Sequence, residues 1–316
     1  MNKGNQSLLV ILFLIILLVF ISLACTVNTN NGNNQNLAAT QEALQQTQVA
    51  LSVEQTLAAA GQANPVPSAE ATGNVTVAPD PDEPVDHGMC EGKTMVNYQN
   101  ISFCYDPVLA SGTNNTLVAA ETSEMSENFN TPQHVQFEFI GYAISPTFHT
   151  PVIHIYPVQE YTNTSPFSSE IINNLQTLLQ QKPEAPHGIP FLPIWNAAQM
   201  FSTQKAYLQF DNGEGIRFLA QYGQSYWPIN NHDLFYTFQG ITADGQYYIS
   251  AILPISNPQL PSDGESWPGD LNDLATDFDL FYAENMNILL YSQPDDSFTP
   301  TLTMLDQLIQ SITITP

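Results

Sequence analysis

His149 and His154 stand five positions apart in "HTPVIH", and Glu138 lies on the apolar stretch before them. Imidazoles and a carboxylate together are zinc ligands, but zinc needs three or four that converge, with partners that hold the rings in place. These two histidines flank a proline on an extended segment instead of sharing a helix face as H-E-x-x-H ligands do, so structural or surface histidines are the competing reading. A second candidate is the acidic run "SDGESWPGDLNDLATDFD", with Asp263, Glu265, Asp270, Asp273, Asp277 and Asp279. Calcium takes six to eight oxygens from a rigid loop. Here the EF-hand pattern is missing, and Asp273 and Asp277 sit one helical turn apart without basic partners, so a cation site and a solvated helix face are both open. Ser225 in "YGQSYW" lacks the glycines of a nucleophile elbow, and there is neither a Walker A loop nor a G-x-G-x-x-G. No catalytic motif and no cofactor is implied. Carboxylate pairs for glycoside hydrolysis depend on separation in space, which keeps a secreted carboxylate-dependent hydrolase as the alternative to a binding domain.

One further segment bears on binding. Pro186 to Trp195, "PHGIPFLPIW", is a long apolar connection. It either lines a groove for a small-molecule or protein ligand or packs on the sheet as a cover.

The elements around these residues are read from periodicity. Val135 to Ile144 and Val152 to Val158 are strands of an antiparallel pair. Glu170 to Gln181 is a helix with Ile171, Leu175, Leu178 and Leu179 on one face, ending before Pro183. "AYLQF-DNGEG-IRFLAQY" is a hairpin turning at a positive-φ Asn212-Gly213, and "LFYTFQG-ITADG-QYYISAILPI" is a second, turning at Asp244-Gly245. Asp270 to Leu290 forms a helix with a core stripe of Leu271, Leu274, Phe278 and Phe281. Thr301 to Gln310 forms another, followed by the short strand "SITIT". In the opening stretch, "ISFCY" is the first strand. The fold class is α+β: an antiparallel sheet built from hairpins, covered by helices. "MVNYQNISFCYDP", the late helix and "LIQSIT" are similar in topology to PsbP-type sandwiches, a likeness that carries no functional residues.

Upstream the chain changes character. Leu8 to Ile21 is an unbroken apolar run after Lys3, and Ala24 precedes Cys25. This resembles the lipobox of bacterial lipoproteins, with Ser22 and Leu23 in swapped order. The resemblance implies that residues 1–24 are removed and that Cys25 carries lipid on the membrane's outer side. The alternative is an uncleaved single-pass anchor, since Leu8 to Cys25 spans about 27 Å as a helix. Either way the next basic residue after Lys3 is Lys93, so the rest of the chain lies outside. Residues 25–36 are a flexible tether. Residues 37–60 are a stalk helix, self-associating or solvated alone, and 61–86 are a disordered acidic, Pro-rich linker. Residues 87–316 are a single extracytoplasmic domain. The Gln/Ala-rich stalk and the block from "PVIHIYPVQEY" to "ISNPQLP" resemble uncharacterised bacterial surface lipoproteins, which implies location and fold but no activity.

With Cys25 assigned to lipid through that resemblance, Cys90 and Cys104 remain. They form a disulfide in an oxidising exterior or stay as two buried thiols. The net charge of -25, from 30 acidic and 5 basic residues, excludes nucleic acid as a partner and disfavours anionic headgroups.

Overall fold

The computed structural model describes residues 90–315 apart from 124, 187 and 279–281. The segment ending at Cys25, the tether, the stalk and the linker lie outside the described residues.

Two antiparallel sheets carry the domain. β1 (Thr94–Tyr98), β2 (Ile101–Tyr105) and β10 (Thr313–Ile314) form a small sheet in the order β1-β2-β10. β3 (Gly112–Val118), β4 (His134–Ile140), β5 (Val152–Pro157), β6 (Ala198–Phe210), β7 (Gly213–Gly223), β8 (Phe235–Thr242) and β9 (Tyr247–Pro254) form a seven-stranded sheet in the order β3-β4-β5-β9-β8-β7-β6. The α-helices among the described residues are α1 (Val158–Thr164), α2 (Ser168–Gln181), α3 (Leu271–Asp277), α4 (Ala283–Tyr291) and α5 (Leu302–Gln310). The class is α+β.

Several boundaries differ from the sequence reading for local reasons. β4 stops at Ile140 because Gly141 turns the chain with φ 59°. β5 ends at Pro157, and Val158 opens a helix in place of extending the strand. "ISFCY" is the second strand: β1 precedes it and pairs with it across a turn in which Gln99 takes φ 53°. The β6–β7 hairpin is present, but Phe210 pairs with Gly213 and the turn is Asp211–Asn212, with no positive φ at Asn212 or Gly213. Gly213 is needed for space, since a Cβ there would sit 2.5 Å from the Ile241 carbonyl oxygen. The β8–β9 hairpin does turn through a left-handed Gly245, and Asp244 Oδ1 accepts hydrogen bonds from Thr242 Oγ1 and Gln246 N–H.

The expected helix Asp270 to Leu290 is described as α3 and α4. Asp270 caps α3, its carboxylate accepting the Asn272 N–H at 2.8 Å. Leu274 and Phe278 are buried as the stripe requires, but Leu271, in the first turn, is exposed, and Phe281 lies outside the described residues. In α2 the buried apolar residues are Ile172, Leu175 and Leu179, so the inward face is turned by about one residue from Ile171 and Leu178, which are half-buried.

Alternation along the strands produces two cores, one on each face of the large sheet. On one face the small sheet packs edge-on through aromatic rings. Phe103 meets Phe137 at 5.0 Å between centroids, and Tyr105 meets Phe139 at 5.4 Å. Leu302, Leu305, Leu308 and Ile309 of α5 join this core. On the other face Tyr156, Ile216, Phe218, Tyr248 and Ile252 meet the apolar side of α2. Burying each of these large side chains contributes about 1.5–3 kcal/mol.

Two features tie the periphery to the sheets. Cys90 and Cys104 form a disulfide, with Cα atoms 5.8 Å apart. For a loop of this size the chain-entropy estimate is roughly 3 kcal/mol. At a bulge in β6, Gln204 adopts φ 52° and its Nε2 donates to the carbonyls of Leu290, Tyr291 and Gln293, closing the C-terminal end of α4. Arg217 on β7 donates to the Gln204 carbonyl and lies 3.3 Å from Asp306 of α5.

Candidate functional site

The two histidines singled out in the sequence do not meet. His149 stacks flat on Trp195, at 4.9 Å and 9°, and packs edge-on against Phe235 at 4.5 Å. Burial pushes its pKa down to about 4; Asp233 pulls it up and His232 pushes it further down, both more weakly. It is a neutral ring inside an aromatic stack. His154 on β5 instead pairs with His134, a residue the sequence reading passed over. His134 Nδ1 lies 2.9 Å from the Pro132 carbonyl oxygen, which can only accept, so Nδ1 carries the proton. His134 Nε2 therefore accepts from His154 Nδ1–H at 3.1 Å. Burial first, then the His134 neighbour, hold His154 down to about 3, and burial lowers His134 as well. Register explains the pairing. β4 and β5 place Gln136 opposite His154, and Glu138 opposite Val152, two residues along the ladder. Glu138 is thus on the same face as His154 but beside Val152.

Among the described residues no group of three or more His, Cys, Asp or Glu is placed to hold a metal ion. Asp273 is exposed on α3, and the side chain of Asp277 lies outside the described set. Asp263 is engaged locally, accepting from Ser266 N–H and Oγ at 2.8 and 2.7 Å, and these bonds lower its pKa. His232 Nδ1 and Asp233 Oδ1 lie 2.7 Å apart, the base-and-orienter half of a hydrolytic triad. No Ser, Thr or Cys side chain is hydrogen-bonded to that imidazole among the described residues, and Ser225 is not one of its partners.

In the Pro186 to Trp195 segment the described residues include a firmly seated Leu192. Leu192 is fully buried, and its backbone is held at both ends by the sheet: its N–H donates to Gln239 Oε1 at 3.0 Å and its carbonyl accepts from Ser250 Oγ. Gln239 also accepts from Tyr248 OH at 2.6 Å and donates to Thr237 and Ser250, so its full hydrogen-bonding capacity is used. Ile189, Phe191 and Leu192 of this segment pack into the core. A buried polar seat on β8 and β9 is what fixes it there.

An open concavity lies elsewhere, with a volume of about 560 Å³. One wall is Thr122, Ser123, Glu127 and Asn130, from the connection between β3 and β4; the other is Thr162, Asn163, Thr164 and Pro166, from the end of α1 and the turn into α2. Ser165 joins the two walls, its Oγ donating to the Asn128 carbonyl at 3.0 Å. The described lining residues carry four hydroxyls, two amides, one carboxylate and one proline. The signal for it in the sequence is the density of hydroxyl and amide residues in "TSEMSENFN" and "TNTSP", two stretches 40 residues apart that carry no catalytic spacing.

In comparison with known proteins, the chain matches no family model, no curated protein and no solved structure.

Proposed function

We propose that this chain is a membrane-anchored extracytoplasmic lipoprotein whose outer domain is a non-catalytic binding or accessory module. The lipobox-like segment ending at Cys25 and the Cys90–Cys104 disulfide support the location, since such bonds persist in oxidising compartments. An uncleaved anchor would give the same topology. In this reading the helices act as covers for the sheet faces, and the groove at the rim is the working surface.

The observation that carries the binding reading is the groove's lining. A glycoside hydrolase of the usual kind needs two carboxyl groups, roughly 5–5.5 or 6.5–9.5 Å apart, flanking the scissile bond. Among the described lining residues Glu127 is the one carboxylate. Hydroxyls and amides can hold a ligand but are poor general acids and bases at neutral pH.

A panel of ester, peptide, glycoside and phosphoester substrates tests this on the full-length protein. The expected result is no turnover above buffer. Turnover that disappears in Glu127→Gln would overturn it.

A further inference from the structure

We infer that the groove between residues 122–130 and 162–166 takes a neutral, polyhydroxylated ligand, a saccharide. This rests on the binding reading and specifies its ligand class. A sugar hydroxyl is donor and acceptor at once, so its site needs both kinds of partner held in place. Thr162 Oγ1 donates to the Gln159 carbonyl at 2.9 Å and Thr164 Oγ1 to the Glu160 carbonyl at 2.7 Å, so both hydroxyls remain as acceptors. Asn130 Oδ1 accepts the Ser123 N–H at 2.8 Å, and Asn163 Oδ1 accepts from Gln159 Nε2 at 3.3 Å. Both amides therefore keep their NH₂ groups as donors. Glu127 adds two acceptor oxygens, and Thr122 a hydroxyl that bonds to no described residue.

Other ligand classes fit this set poorly. An anion would meet Glu127 and, among the described lining residues, no cation. A bare divalent cation would meet two NH₂ groups that point positive hydrogens at it, beside the one carboxylate of the described lining residues. An apolar ligand would find Pro166 alone among the described lining residues. The volume of about 560 Å³ is within the usual range for small-ligand sites, about 300–1,000 Å³. Ser165, 1% exposed, ties the walls together before any ligand arrives, which lowers the ordering cost of binding.

The test uses full-length protein in a sugar-free detergent. It is titrated with neutral gluco-, manno-, xylo- and chito-oligosaccharides and, in parallel, with uncharged peptides. Hydrogen exchange is followed at 122–130 and 162–166, together with the mass of each oligosaccharide. We expect at least one oligosaccharide to bind intact and slow exchange in both segments. Its affinity should fall tenfold or more in Asn163→Ala and in Glu127→Gln, both exposed positions whose variants keep the wild-type melting temperature. Glu265→Gln, outside the groove, should bind as wild type. If no oligosaccharide slows exchange in the two segments, the inference is overturned. Peptide protection there without saccharide protection overturns the ligand class and leaves the binding reading standing. Cleavage of a bound oligosaccharide overturns the non-catalytic reading instead.

Discussion

Arg217 is the chain's single arginine, and it is spent on structure. Its guanidinium donates to the Gln204 carbonyl, and its Nε is 3.3 Å from Asp306 Oδ1 without the alignment of a hydrogen bond, so that contact is chiefly Coulombic. Asp306 also accepts from Tyr236 OH at 2.9 Å. Burial raises the Asp306 pKa, and Arg217 opposes the rise. Arg217→Met would leave a carboxylate that is only 16% exposed without its counter-charge. The expected loss is about 3–5 kcal/mol in urea unfolding at pH 7, and a loss under about 1 kcal/mol would contradict this role. The histidines give a second expectation at this scale. In the unfolded chain both imidazoles titrate near 6.5. In the fold burial holds His149 to about 4 and His154 to about 3. Between those values and 6.5 the unfolded chain binds more protons, so their contribution is complete above about pH 6.5 and is lost as pH falls toward 4 and 3. Urea midpoints should drop from pH 7 to pH 4.5, and His149→Phe or His154→Phe should flatten that drop. Equal drops in wild type and both variants would contradict the assignment.

Gln239 shows how one side chain can seat a whole element. Its four bonds to Leu192, Tyr248, Thr237 and Ser250 hold the segment around Leu192 on β8 and β9. Gln239→Ala strands several buried polar groups, each worth about 1–3 kcal/mol when unsatisfied. At least about 2 kcal/mol of stability should be lost, with faster hydrogen exchange in 188–195 than elsewhere in the domain. Unchanged exchange in that segment would mean that apolar packing alone holds it. This seat was not legible in the sequence because its bonds join residues 47 and 58 positions apart. The hairpins and α2 and α5 were legible, since each buries a face with its own period. β3, "GTNNTLV", was not, being an edge strand held by its ladder to β4 with no buried residue of its own. The candidate site was legible in the same uneven way. His149 and His154 stood out as residue types, but Trp195 and His134, which decide what they do, come from other elements. The groove lies in polar connections with no periodic signal at all.

Across the whole molecule, charge and anchoring point the same way. The described basic residues are all engaged: Lys93 with Gln307, Lys182 with Glu214, Lys205 with the Pro186 carbonyl, and Arg217 as above. Two of these bonds go to neutral acceptors, so Lys93 and Lys205 keep their charge, but four scattered cations make no basic patch on an otherwise acidic chain. What it meets depends on where it is held, so anchoring through Cys25 is the claim on which the account turns. Intact-mass analysis of the protein extracted from membranes tests this most directly. The account predicts a chain beginning at Cys25 and carrying a diacylglyceryl group on the thiol. A mass that still contains Met1 to Ala24 and no lipid would contradict it.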